Sequence, residues 1–247
     1  MKKQPVIFCD LGKMDYQTAW DYQEKLLQEN VRRKSVVYSH ESGVNETSPT
    51  TPDSVLPTQH YLLFVEHPPV YTLGKSGKME NVLLNEEQLK ASGIEFFRTN
   101  RGGDITFHGS EQLVGYPILD LEKFYTDIGK YLRNIEEVII RTLAEFGLTG
   151  SRSAGETGVW LEPEVKGKER KICAIGVRSS RWITMHGFAF NVNTDLSYFN
   201  NIIPCGIGNK QVTSLEKELG QKISLEETKE VVKKNFEKVF DVELVNG

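Results

Sequence analysis

Cysteine is scarce in this chain. Cys9, Cys173 and Cys205 are the only three in 247 residues, and an odd number without Cys-x-x-Cys spacing forms neither a disulfide framework nor a zinc site. Long apolar runs are missing as well. None approaches the roughly 20 residues that span a bilayer, so no membrane partner is expected. The opening "MKKQPVIFCDLGKMDY" has two lysines, but Asp10 breaks its short apolar stretch. That is too little for a secretory signal, and the expected location is the cytoplasm. An excess of positive charge is also absent: the formal net charge of −4 argues against nucleic acid as the main partner. No Gly-Lys-Ser/Thr follows Gly102–Gly103, and no third glycine opens a helix there. Phosphate-loop and dinucleotide fingerprints are therefore excluded. Neither an internal repeat nor a heptad array is present.

What the chain does have is a globular composition, 38% hydrophobic and 26% charged residues, which predicts a packed core. The length suits one large domain or two small ones, and we read residues 1–247 as a single catalytic domain. Ala19, Tyr22, Leu26 and Val31 fall near helical spacing and predict a helix over 15–34. "SVVYS" then reads as a short strand. The polar segment 39–60, with two Thr/Ser-Pro steps, predicts a mobile surface loop within the domain. "YLLFVEH" has a buried-strand pattern, Asn85 and Gly93 bracket a short helix, and "IEFFRT" reads as a strand. The clearest amphipathic helix covers 127–147 and ends at Gly147. Strand-like pieces follow in "GVWLE", "KICAIGVR" and "WITMHGFAFNVN", and Ser224 with Glu227 predicts a capping box. Strands clustered around a few helices, without regular βαβ alternation, point to an α+β fold with a mixed or antiparallel sheet.

Chemistry concentrates in three stretches. In "RTNRGGDITFHGSEQLVGYPILDL" (98–121), Gly102 and Gly103 permit unusual backbone angles and close ligand approach. Arg101 can anchor an anion, and His108 can exchange a hydrogen bond near pH 7; the competing reading is a tight hairpin with a solvated arginine and a structurally bonded histidine. In "GKERKICAIGVRSS", strand alternation puts Lys171, Cys173 and Ile175 on one face. Lys171 is either a solvated edge residue or a lysine aimed into a cleft. In "MHGFAFNVNTDLSYFNNIIPCGI", Pro204 and Gly206 put Cys205 on a bend. Its thiol needs a positive neighbour to ionise at pH 7, and Lys171 and the two histidines, His108 and His186, are candidates. On these residues alone Cys205 is either inert core or a nucleophile, whereas Cys173 and Cys9, flanked by apolar neighbours in strand-like runs, read as packing.

The blocks "VEHPPVYTLGKSG", "RGGDITFHG…QLVGYPI", "KICAIGVR" and "HGFAFNVNTDLSYFNNIIPCGI" occur in one consistent order. They resemble the successive motifs of the octanoyl-[acyl-carrier-protein]:protein N-octanoyltransferases, the lipoyl (octanoyl) transferase family of lipoate biosynthesis, as far as about Ser214. The resemblance implies a fold shared with lipoate-protein ligases and biotin protein ligases, and acyl transfer through a cysteine thioester. It implies no cofactor and no metal. Its partners would be octanoyl-acyl carrier protein as donor, and lipoyl domains of 2-oxoacid dehydrogenase complexes and the glycine cleavage H protein as acceptors. Cys205 matches the acyl-accepting nucleophile, and Lys171 the lysine that lowers its pKa and handles protons. Arg101, Gly102, Gly103, Asp104, Ile105, Thr106, Phe107 and His108 match the first acyl-pocket segment. Ala174, Ile175 and Gly176 match the second, and Gly187, Phe188 and Ala189 the third. One departure stands out. The family reads His-Gly-Pro-Gly-Gln where this chain has Ser110 and Glu111, which predicts a looser or differently turned loop.

Further expectations follow from the resemblance. Phe107, Phe188 and Ile175 would line an apolar tunnel, and backbone N–H groups near 102–103 or 175–176 would face the oxyanion. The basic run "KGKERK" (166–171) is either a dock for the acidic carrier or a solvated turn. The alternatives are an ATP-dependent ligase of the same fold, which needs no cysteine, and a non-catalytic module that binds acylated domains.

Overall fold

The computed structural model describes residues 3–41, 57–203 and 211–247. Cys205 and residues 42–56 of the polar segment lie outside them. Among the described residues, strands form an eight-stranded sheet and a three-stranded one. In chain order they are β1 (Gln4–Lys13), β2 (Tyr61–Glu66), β3 (Val70–Leu73), β4 (Glu95–Arg98), β5 (Ile105–His108), β6 (Gln112–Ile118), β7 (Val159–Leu161), β8 (Arg170–Ser180), β9 (Ile183–Asn191), β10 (Gln211–Val212) and β11 (Val242–Asn246). The helices are α1 (Tyr16–Glu41), α2 (Glu86–Ala91), α3 (Ile128–Glu145), α4 (Leu215–Leu219) and α5 (Leu225–Phe240). The large sheet runs β10-β8-β9-β6-β2-β1-β11, with β7 also on β8; the small one runs β4-β3-β5. Parallel pairs (β1 with β2 and β11) and antiparallel pairs (β2–β6–β9–β8) coexist, so the sheet is mixed.

Alternation along β2 shows the layering. Leu62 and Phe64 join a core that includes Ile135, Ile139 and Leu143 of α3 and Val232 and Phe236 of α5. Leu63 and Val65 point the other way, into a cluster with Ala19, Leu26 and Leu27 of α1. Every second residue of a strand faces the same side, so a strand apolar at all four positions must be covered on both faces. The small sheet lies on the α1 side, where Tyr16 stacks on His108 of β5 with ring centroids 5.9 Å apart.

Two expectations change. "SVVYS" is not a strand: α1 continues through it to Glu41. Once a helix is nucleated each residue adds a hydrogen bond, and no glycine or proline interrupts 16–41. Two valines lower helix propensity too little to stop it. The reciprocal capping box sits at Asn85 and Gln88 of α2, while at α5 Ser224 accepts from the Glu227 N–H. The edge strands β10 and β11, and β1 beside β11, were not read from the sequence, because their short or interrupted apolar patterns are completed only by pairing with distant strands.

Candidate functional site

A cavity of about 450 Å³ opens between the two sheets, within the usual range for small-molecule sites. Its length follows β8. Lys171 stands near one end of that strand, and Ala174, Ile175 and Gly176 continue along the wall beside Phe188 and Ala189 of β9. At about 3.3 Å per residue, Lys171 and Gly176 are separated by roughly 16 Å of strand. The far end is closed by Arg101, His186, Tyr16 and Tyr116.

That closure depends on missing side chains. Gly176 and Gly187 face each other across β8 and β9. A Cβ on Gly187 would lie 2.1 Å from the Gly115 carbonyl oxygen, and one on Gly176 would lie 2.8 Å from the Gly102 oxygen and 3.1 Å from Arg101 Nη1. The arginine loop can therefore rest directly on the sheet. Arg101 is only 7% exposed. Its guanidinium donates to the Thr72 carbonyl and hydroxyl at 2.6 and 2.9 Å, and to the Gly102 carbonyl at 3.0 Å. The solvated-arginine hairpin is thus ruled out, and β5 and β6 belong to different sheets. The Gly102 N–H donates to Val177 O at 2.9 Å, so it is not a spare oxyanion donor.

The histidines at this end are not cations at neutral pH. His108 is buried, with Nδ1 against Gln112 Oε1 at 3.0 Å and Nε2 against Thr72 Oγ1 at 3.3 Å. Burial holds its pKa well below the usual histidine value, and neighbouring His67 and Arg101 push the same way. Burial takes His186 down to about 3, with Arg101 and Arg178 adding to the shift. Nδ1 of His186 has no hydrogen-bond partner among the described residues, while Nε2 meets Asn100 Oδ1 at 2.8 Å. His108 does take part in hydrogen bonds, but the expectation that either ring supplies a cation to a thiol is corrected by desolvation. Of the cations named from the sequence, Lys171 remains.

Arg101, Gly103, Asp104, Ile105, Thr106, His108, Lys171, Ala174, Ile175, Gly176, Gly187, Phe188 and Ala189 all line this cavity. Gly102 does not, and neither does Phe107. Phe107 is buried in the apolar cluster of the small sheet with Tyr71, Leu73 and Ile202. There its ring stacks on Tyr198 at 4.5 Å, so it is not a tunnel wall. Cys173 shares Lys171's strand but is fully buried in the main core, and burial pushes its thiol pKa upward. Strict alternation from Lys171 fails because the β7–β8 register shifts between Val159 and Trp160. In "KGKERK", Lys166 and Lys168 are exposed. Arg170 is bound bidentately by Glu218 at 2.6 and 2.8 Å and also meets Glu162, so the run carries less usable charge than it spells.

Several wall residues carried no local signal. Tyr16 opens a helix, Gln112 and Tyr116 lie inside an apolar strand, and Glu156 and Thr157 sit in a loop. Only the tertiary fold brings them to the cavity. The turn 109–111 is tied rather than loose. Glu111 has φ +61°, the left-handed region that suits the glycine the family places there. Its N–H donates to Glu66 Oε2 at 2.9 Å, its carbonyl accepts from Asn193 N at 3.0 Å, and its carboxylate accepts from Asn193 Nδ2 at 2.6 Å. Among the described residues, no group of three or more acidic, histidine or cysteine side chains could hold a metal ion, and no helix is long and apolar enough to cross a membrane.

A mixed sheet backed by helices carries a cavity with a lysine toward one end and an apolar stretch on its wall. Residues 15–237 match the family model described as the lipoyl protein ligase A/B catalytic domain. The chain belongs to that family, and within it to the octanoyltransferases. It is 56% identical over 236 residues to an octanoyltransferase of Christiangramia forsetii, covering 95% of each chain. It is 57% identical over 237 residues to one of Flavobacterium johnsoniae, covering 96% of this chain and 97% of that one. It is therefore an acyltransferase that handles octanoyl groups. Similar solved structures include a lipoate-protein ligase A bound with ATP, with a TM-score of 0.66 and 14% identity over 100% of this chain and 89% of that one. Another is a bipartite lipoate protein ligase of Thermoplasma acidophilum, studied with its E2 lipoyl domain, with a TM-score of 0.65 and 16% identity over 100% of this chain and 87% of that one. At that identity the likeness shows the fold.

Proposed function

We propose that the chain works as one catalytic domain. It would move an octanoyl group from octanoyl-acyl carrier protein to a lysine of a lipoyl domain through a thioester on Cys205. The observation that carries this reading is Lys171 on the wall of a cavity that also presents an apolar stretch of Ile105, Ile175, Phe188 and Ala189. Lys171 is also paired with the strand that follows the Cys205 segment. Val212 is its register partner, and its carbonyl accepts from Thr213 N at 3.0 Å.

The chemistry runs in two steps. The Cys205 thiolate attacks the donor thioester carbonyl; the new C–S bond forms as the carrier's C–S bond breaks, and the leaving thiolate takes a proton from the Lys171 ammonium. The acceptor lysine must then lose a proton before its amine can attack. That proton goes to solvent; after attack the nitrogen gives a second proton to neutral Lys171 as the amide forms, and Cys205 leaves as thiolate. One lysine thus returns to its starting state each cycle, and no metal or nucleotide takes part. The apolar wall of Ile105, Ile175, Phe188 and Ala189 would hold the chain.

Intact-mass analysis after incubation with octanoyl-acyl carrier protein tests the reading. One octanoyl adduct is expected, lost in Cys205→Ala and retained in Cys173→Ala. An adduct lost only in Cys173→Ala, or transfer that needs free octanoate and ATP, overturns it.

A further inference from the structure

We propose that Trp160 and Gly158 are positioning residues that form a slot for the Lys171 side chain and hold its ammonium at the cavity wall. The proposal rests on the reading of Lys171 as the proton-handling lysine, and it assigns the work of aiming it.

Trp160 of β7 is the direct cross-strand partner of Lys171. Lys171 Nζ lies 4.6 Å from the centroid of its indole ring, inside the distance at which an ammonium is drawn to a π face. The ring itself is held. Trp160 is 3% exposed, and its backbone exchanges hydrogen bonds with Ser151 at 2.8 and 2.9 Å. Gly158 forms the opposite side of the slot. It has φ +124°, and a Cβ there would lie 2.6 Å from the Cys173 carbonyl oxygen and 3.5 and 3.6 Å from Lys171 Cε and Cδ. Only glycine lets β7 come this close to the lysine stem.

The slot is anchored from behind. The Gly158 N–H donates to Glu136 Oε1 at 3.0 Å. Glu136, fully buried on α3, is held by Arg133 at 2.9 Å and Arg152 at 3.0 Å. Among the described residues, the same region holds Glu156 on the cavity wall, the buried Cys173 thiol and Glu136, which is bound to its arginines. A lysine stem ordinarily samples many rotamers, and fixing them costs side-chain entropy. A slot between an indole face and bare backbone meets that cost on folding, before substrate arrives. The π face draws the ammonium and so fixes where its charge stands along the cavity wall.

The test is the rate of acyl-enzyme formation against pH, read by intact mass, for Trp160→Leu and Trp160→Phe with Lys171 present and with Lys171→Ala. With Lys171 present, losing the ring should slow the step ~3- to 10-fold and move its pH midpoint upward, and phenylalanine should restore most of both. With Lys171→Ala, Trp160→Leu should add little. An equal loss with and without Lys171, or no loss in either, overturns the slot. If Lys171→Ala itself leaves the rate and pH profile unchanged, the reading of Lys171 falls and the slot falls with it.

Discussion

The two ends of the cavity use the same pair of strands in opposite ways. At the Lys171 end the strand is half-buried, and an ammonium lies against an indole face. At the other end, where Val177 pairs with His186, the polar groups are buried and the histidines are neutral. The difference is one of desolvation. A charge near water costs little and can trade protons with incoming groups, whereas a histidine deep between two sheets gives up its proton. On the proposed reading proton chemistry belongs to the Lys171 end, and the His186 end contributes shape.

Two substitutions probe this contrast. Lys171→Ala should cost about 10²- to 10⁴-fold in octanoyl transfer, the usual worth of a positioned acid–base group. His186→Asn should leave the pH profile of transfer in place, because the ring does not titrate in the working range. Loss of an ionisation from that profile in the His186 variant would break the contrast.

The buried histidines also predict an acid liability. His60 and His67 are held at about 4 and His186 at about 3, all chiefly by burial, and His108 lies well below its ordinary value. Folded pKa values below unfolded ones mean that the unfolded chain binds more protons as pH falls from about 6.5 toward 4, so stability drops through that window. Each such histidine contributes about 1.4 kcal/mol per pH unit while only the unfolded form titrates. The urea midpoint should therefore fall steeply between pH 7 and 5. A flat midpoint would mean that these rings accept protons in place.

How much of this was legible in the sequence differs between the same two ends. Lys171 and the glycine pairs stood in recognisable blocks, and the helix over 127–147 followed from its apolar spacing. The α+β class followed from the order of elements. Tyr16 and Tyr116 could not be placed, since a tyrosine at a helix start or inside an apolar strand looks like ordinary core. Phe107 was assigned to the wrong side because the sequence does not show that β5 leaves the sheet that β6 joins. Lys171, Cys173 and Ile175 looked equivalent on alternation until the register shift at Val159–Trp160 separated them. Periodicity reads one element at a time, and these errors all lie in how elements meet.

The turn between His108 and Gln112 offers the smallest and most discriminating effect. Glu111 carries a left-handed φ of +61°, which costs a non-glycine residue roughly 1–2 kcal/mol. Against that stand its carboxylate contacts, with Asn193 at 2.6 Å and with the exposed Lys222 at 3.1 Å; a pair of this kind is worth about 0–1 kcal/mol. Glu111→Gly removes the strain and the side-chain contacts together, but adds freedom to the unfolded chain worth about 0.5–1 kcal/mol. Its urea stability should stay within about 1 kcal/mol of the parent. Glu111→Ala loses the contacts and keeps the strain, so it should be the less stable of the two by about 1 kcal/mol. Equal stability of the two variants would show that the backbone bonds to Glu66, Asn193 and Thr194, rather than the side chain's tolerance of that φ, decide the turn. The closed end of the cavity would then be held by main-chain hydrogen bonds alone.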